Sequence, residues 1–198
     1  MTREQALEIL HTNMESPNLR KHCYAVAAVM AALADRTCSV TEEIDKWYIS
    51  GLLHDADYEQ TKENTKEHTK LVLQWIDAHP STGSGSSTSS REIKNAILAH
   101  GWGYVESNPE PMTPMEWSLY CCDELTGLII AVTLIRPTKK ISNVTVDNVL
   151  AKWNEKSFAA GVHREQIDLC EEKLGIKREE FVTIALAAMQ GIAEELGL

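Results

Sequence analysis

Apolar residues recur at helical spacing along nearly the whole chain, and that spacing starts and stops at capping residues rather than at hairpin turns. Thr2-Arg3-Glu4-Gln5 and Thr113-Pro114-Met115-Glu116 each pair a hydroxyl with an amide or carboxyl three residues on, which satisfies the orphan N–H groups of a first helical turn. The second adds a proline at the first helical position. The first helix is predicted to run to about Thr12. A second starts at Pro17 with His22, Ala25, Val26, Val29 and Leu33 on one face, and a third opens at Thr41 with Ile44, Tyr48 and Leu52 inward. A fourth carries His68, Leu71, Val72, Trp75 and Ile76 and is stopped by Pro80. A fifth, capped by Ser90, puts Ile93, Ala96, Ile97 and His100 in register. The helix after Thr113 ends before Pro137, and further helices are expected near 146–153, 164–174 and 178–196. The β-branched run 129–135 continues a strongly capped helix, and the chain has no Asn-Gly or Asp-Gly hairpin signal, so it too reads as helix. The expectation is an all-α bundle.

A chain of 198 residues is about one domain's worth, able to bury roughly 70% of its unfolded surface without staples. Residues 1–198 are therefore read as one domain. The Ser/Gly-rich stretch 81–90 is read as a flexible surface insertion within it. Lys and Arg number 19 against 29 Asp and Glu, a formal charge of −10, which argues against bulk nucleic-acid binding and against an anionic membrane surface. The most apolar stretch, 125–135, is too short to span a bilayer. Five scattered cysteines without a CxxC pair indicate neither a zinc ribbon nor a disulfide framework, and the acidic N-terminus is no signal peptide. A reducing cytoplasm is the expected compartment. Nothing in the sequence indicates an oligomeric state.

The histidines carry the chemistry. His22, His68 and His100 each fall on the apolar stripe of a separate predicted helix, His54-Asp55 ends the third helix, and Asp123 is in register with Leu119 and Thr126. Taken singly, such a histidine is more often a hydrogen-bonded core residue. Jointly, imidazoles and carboxylates facing inward from successive helices are costly to bury unless they pair or bind a cation. A divalent ion supplies the missing charge, and imidazole with carboxylate suits Fe, Mn, Zn, Co or Ni, with Mg also open.

The order His22, His54-Asp55, His68, His100, Asp123 resembles the HD-domain metal-dependent phosphohydrolase superfamily, in particular its small prokaryote-type hydrolases. The local likeness is strongest at Gly-Leu-Leu-His54-Asp55-Ala-Asp-Tyr-Glu, Ala-Ile-Leu-Ala-His100-Gly and Cys-Asp123-Glu-Leu-Thr-Gly-Leu-Ile. It continues through Ile135-Arg-Pro-Thr-Lys and Ser157-Phe-Ala-Ala-Gly-Val. The resemblance implies an HD-type helical bundle with its metal-site core at about 17–140 and additional C-terminal helices over about 141–198. It implies a metal set of His22, His54, Asp55 and Asp123, with His68 and His100 as the extra ligands of two-metal members, where Asp55 bridges both ions. Many members read HDIG or HDIGK, whereas this chain reads His54-Asp55-Ala56-Asp57. The missing lysine, and the missing Gly-Tyr-Pro signature, argue against a cyclic-dinucleotide phosphodiesterase.

Two cations about 3.5–4 Å apart can hold a hydroxide and clamp a phosphoryl group opposite it. The chain carries no nucleophile elbow and no phosphate loop. The expected activity is hydrolysis of a small phosphate ester or anhydride, a nucleotide in the first instance, by metal-bound hydroxide, with one or two ions. Asp55, His68, His100 and Asp57 are the expected catalytic groups; with a single ion, His68 and His100 would contact phosphate or protonate the leaving group. Asp57 and Glu59 read equally well as two solvated acids. Arg136 and Lys139 are expected to neutralise substrate phosphate, and Lys140 to lie exposed. Trp102 and Tyr104 either line the pocket or close the core, while Cys121 and Cys122 read as packed thiols and His11, His79 and His163 as surface residues. The rival readings are a di-iron HD-type oxygenase acting on a small polyol and a non-catalytic metal or nucleotide sensor.

Overall fold

In the computed structural model, which describes residues 1–37, 41–79 and 86–198, no strand occurs among the described residues. The helices are α1 (Arg3–Asn13), α2 (Pro17–Thr37), α3 (Thr41–Leu53), α4 (Tyr58–Thr61), α5 (Lys70–Ala78), α6 (Ser86–His100), α7 (Pro114–Leu134), α8 (Val146–Ala151), α9 (Arg164–Leu174), α10 (Arg178–Gly191) and α11 (Ala193–Leu196). Short 3-10 turns occupy Thr65–Glu67 and Ile141–Asn143. Both predicted capping boxes form: Thr2 and Thr113 accept from the backbone three residues on, and Gln5 and Glu116 return a bond to the cap. The cap expected of the Thr41 side chain lies outside the described residues, as do Cys38 and Pro80.

Three local expectations are corrected. Residues 86–90 are helical, so Ser90 sits inside α6 rather than at its cap; the helix begins immediately after Gly85, the last residue of the run with a strong backbone preference against helix. The remainder of that stretch, 81–85, lies outside the described residues. His68 precedes α5 instead of riding on it, because α5 starts only at Lys70. The single helix expected over 178–196 is broken at Ile192, where α10 gives way to α11.

α2 is the centre of the bundle because it is apolar on two sides. Ala25, Val26, Val29, Met30 and Leu33 pack with Leu125 and Ile129 of α7, Ile167 of α9 and Phe181 of α10. Cys23 and Ala27 face the other cluster, with Leu10, Leu52, Leu53, Val72 and Ile97 from α1, α3, α5 and α6. α7 is apolar and long enough by composition to cross a bilayer, yet 67% of its most apolar window is buried, so that length serves as core. α8–α11 complete the same core against α2 and α7.

The α2–α3 crossing is unusually close at one point, and Gly51 permits it. A Cβ at Gly51 would lie 2.9 Å from the Ala27 backbone N and Cα, which cannot move without displacing the helix. Gly51→Ala is therefore expected to destabilise by about 1–3 kcal/mol, the usual cost of overpacking. A fall in the urea midpoint at unchanged slope checks it.

Candidate metal centre

Three helices and two irregular segments deliver six side chains to one place. His22 comes from the second turn of α2, His54 and Asp55 from the residues just after α3, His68 from the turn before α5, His100 from the last residue of α6 and Asp123 from the middle of α7. The rings of His22 and His54 meet edge-on at 5.1 Å between centroids, those of His54 and His100 at 5.1 Å, and those of His100 and His68 at 5.2 Å. Two groups result, each with its potential ligand atoms within 4.8 Å of one another: His22, His54 and Asp123, and Asp55, His68 and His100. Asp55 lies between them. Its Oδ2 is 3.7 Å from Nε2 of both His22 and His54, while its Oδ1 is 3.3 Å from His68 Nε2 and 3.5 Å from His100 Nε2.

The outer nitrogen of every ring is already spoken for. His54 Nδ1 donates to the Gly51 carbonyl at 2.7 Å, and His100 Nδ1 to the Ile97 carbonyl at 2.5 Å. Both carbonyls belong to last helical turns, which leave such acceptors free. His68 Nδ1 donates to Asp57 Oδ1 at 2.8 Å. Thr126 Oγ1 donates to the Asp123 carbonyl and so accepts from His22 Nδ1 at 3.3 Å. A neutral imidazole with Nδ1–H engaged presents a bare lone pair at Nε2, so four lone pairs converge, two of them (His22 and His54) only 3.2 Å apart. Lone pairs at that distance repel unless a cation or protons lie between them. The donor set fits a divalent cation, with the second nitrogen of each ring held as metal-binding histidines require.

The charges agree. Burial opposes ionisation of Asp55 and Asp123, but the His54 imidazole and the hydrogen-bonded rings beside each outweigh it, and both carboxyls are held well below the usual carboxylate range. Burial likewise opposes a charged His54 and His68. The Asp55 and Asp123 carboxylates lift His54 to about 9, and hydrogen bonds to Asp55 and Asp57 lift His68 to about 10. An incoming cation competes with protons here.

Asp57 is fully buried, which excludes the reading as a solvated acid. Its Oδ1 accepts from His68 and from the Thr69 backbone, its Oδ2 from the Leu71 and Val72 backbones at 3.1 and 3.2 Å. With both oxygens engaged it orients His68 and caps α5, and no catalytic proton transfer is assigned to it. Glu59 accepts from the Glu15 and Ser16 backbones and closes the α1–α2 junction instead.

A cleft of about 590 Å³ opens onto the centre, with Asp55, His68, His100 and Asp123 in its lining beside Tyr58, Tyr104 and Glu124. Trp102 turns away and packs on Trp117 and Tyr120, so it closes the core, while Tyr104 stays half exposed at the cleft. The expectation for Arg136 and Lys139 is corrected: Arg136 lies thirteen residues beyond Asp123, about 20 Å along the helix axis, and neither residue lines the cleft. α7 ends at Leu134, and thirteen residues at 3.6 per turn also leave Arg136 about 140° round the axis from Asp123, so neither register nor axial distance suits it. Glu124 escapes notice in the sequence although it adjoins Asp123; its Oε1 and Oε2 accept from His163 Nδ1 and N at 3.0 and 2.9 Å. Cys121 and Cys122 are fully buried with their thiols pushed up by burial, as packed cysteines should be. His11 pairs with Tyr24 and His79 with the Trp75 carbonyl, both away from the centre.

Among known families, the model described as HD domain matches residues 19–127, more than half of the chain and inclusive of all six clustered residues. No curated protein and no solved structure gives a match.

A divalent cation present at about 100 times its dissociation constant is expected to stabilise the fold by about 2.7 kcal/mol. The melting temperature should rise accordingly, fall again with chelator, and lose its cation response in His54→Gln.

Proposed function

This chain belongs to the HD-domain family, and we propose that it hydrolyses a small phosphate ester or anhydride, a nucleotide in the first instance, using one or two divalent cations held by His22, His54, Asp55, His68, His100 and Asp123. The observation that carries this reading is the position of Asp55, whose two oxygens each face a separate pair of imidazoles. When bound, the cation lowers the pKa of water towards neutrality and neutralises phosphoryl charge, so no covalent nucleophile is needed.

The protein's own part is orientation. Gly51, Ile97, Asp57 and Thr126 fix the four rings with Nε2 inward, so ligands do not have to reorganise. His22, His54 and Asp123 form one group, and Asp55, His68 and His100 the other; both histidines of the second group line the cleft, where substrate enters. If a single cation occupies the first group, His68 and His100 are left to meet the phosphate, and His68, backed by the Asp57 carboxylate, is the better placed to protonate a leaving oxygen. The Tyr58 and Tyr104 rings at the cleft offer apolar faces to the rest of the substrate.

One observation favours a second reading. The described residues lining the cleft include no Lys or Arg, although Glu124 is among them. A neutral polyol would suit such walls, and a di-iron oxygenase of the same fold is the corresponding alternative.

The test is to purify the protein without chelator, count its metals, and assay it beside Asp55→Ala on phosphomonoesters, phosphodiesters and nucleotides. Phosphate release by the parent, reduced at least about 100-fold in Asp55→Ala, is the expected result; that is already the cost of losing an outer partner of a ligand. Equal turnover by both proteins removes the mechanism. Dioxygen uptake with a polyol by iron-loaded protein, without phosphate release, favours the oxygenase, and metal or nucleotide binding without any turnover favours a sensor.

A further inference from the structure

Of the four histidines of the centre, His22 and His100 lie within α-helices and His54 directly follows one, whereas His68 neither lies in an α-helix nor adjoins one. It follows the 3-10 turn Thr65–Glu67 and precedes Thr69, which is fully buried at φ 72° and ψ −22°. A β-branched residue enters this left-handed region only where its surroundings over-determine it. Two contacts do so. The Thr69 N–H donates to Asp57 Oδ1 at 3.2 Å, the same oxygen that holds His68 Nδ1. On its other side, Thr69 Oγ1 accepts from Asn108 Nδ2 at 3.2 Å.

Asn108 Nδ2 also donates to the Leu98 carbonyl at 2.8 Å, two residues before His100. A carbonyl only accepts, so this bond fixes which end of the amide faces inward. The amide sits in a notch that Gly101 leaves open: a Cβ there would lie 2.4 Å from Asn108 Nδ2. Ser107, just before it, is left-handed as well, at φ 77°. Asn108 thus ties the segment bearing His68 to the end of the helix bearing His100, and its side-chain hydrogen bonds among the described residues go to Thr69 and Leu98 rather than to the cluster itself. The Lys66–Glu106 ion pair spans the same two segments at 3.2 Å, but both partners are exposed and such pairs contribute little.

We propose that Thr69 and Asn108 are positioning residues for the Asp55, His68 and His100 half of the centre. They set the spacing of His68 and His100, so that this half takes a cation without backbone rearrangement and is lost separately from the His22, His54 and Asp123 half. The inference rests on the reading of the cluster as a metal centre.

The test is cobalt(II) binding to the chelator-stripped full chain, followed by calorimetry for stoichiometry and affinity and by visible absorption at each equivalent added. Thr69→Val keeps the branched shape and removes only the hydroxyl, Thr69→Ser keeps the hydroxyl, and Asn108→Ala removes the donor from the opposite side. The parent and Thr69→Ser should bind two equivalents. Thr69→Val and Asn108→Ala should bind the first with unchanged affinity and the second about 10- to 100-fold more weakly, with the absorption change of the second equivalent lost. Should Thr69→Val fail to fold, Asn108→Ala decides alone. Two unchanged equivalents in the variants overturn the proposal, and so does equal weakening of both, which would be general loosening. A parent that takes up fewer than two equivalents sinks the two-part centre and the brace with it; a parent that takes up two, with variants that match it, sinks the brace alone.

Discussion

Around Asp55 the protein gathers four imidazoles whose outer nitrogens are all engaged, and it leaves the inner ones facing each other and two carboxylates. Positive charge has to lie between them. Protons can supply it, at the cost of cationic rings in a largely buried space, and a divalent cation supplies it with ligands already aimed. The rest of the architecture follows from meeting that condition at five separate places along the chain. Helix ends do much of the work. His54 and His100 stand at the C-terminal ends of α3 and α6 and turn their Nδ1–H onto a carbonyl three residues back, a group the helix leaves unpaired. One bond therefore satisfies a backbone acceptor and points the ring. Gly51 serves twice, lending that carbonyl and letting α2 come close enough to bring His22 to His54.

The two halves of the centre are built differently. His22 and Asp123 project from within long, deeply packed helices and share Thr126, which accepts from one and donates to the backbone of the other. Their half inherits the rigidity of the core. His68 depends on Asp57, whose buried carboxylate takes four N–H bonds, three of them from the backbone where α5 begins. Favourable charge at a helix N-terminus and orientation of a ligand are thus one interaction, which explains why an acid two residues after Asp55 is tolerated with no water around it.

Much of this is legible in the sequence, for stated reasons. His22 and Asp123 stand out because each occupies an apolar stripe of a long helix, and His54-Asp55 because the pair closes a third. His100 follows from register. His68 reaches the cluster by another route than its register suggests, since Asp57 captures the backbone after it and delays α5; no local pattern reveals a cap fifteen residues away. Arg136 and Lys139 illustrate the converse. They follow the helix of Asp123 in sequence, but adjacency in the chain does not put a residue beside a site: both lie past the end of α7, about 20 Å or more along its axis from Asp123. Glu124 and Asn108 have roles only through His163 and Thr69, distant partners that a linear reading cannot supply.

The C-terminal helices are more than a supplement to the matched domain. The HD match ends at residue 127, yet the outer wall of the cleft is fastened from beyond it. His163 binds Glu124 through both its ring and its backbone, and its ring meets that of Tyr104 at a tilt of 54° with centroids 5.4 Å apart. Gln166, almost fully buried on α9, accepts from the Tyr104 hydroxyl and donates to the Tyr120 carbonyl at 2.6 Å. The Arg164 guanidinium between them laces carbonyls of the preceding loop, including Phe158 at 2.6 Å. The clustered residues that could hold a cation thus come from the part of the chain shared with the family, while the cleft wall beside them is braced by a segment outside it. The cluster and the bracing of the cleft wall are thus anchored in different stretches of sequence, joined at adjacent residues of α7: Asp123 faces the centre and Glu124 faces the extension.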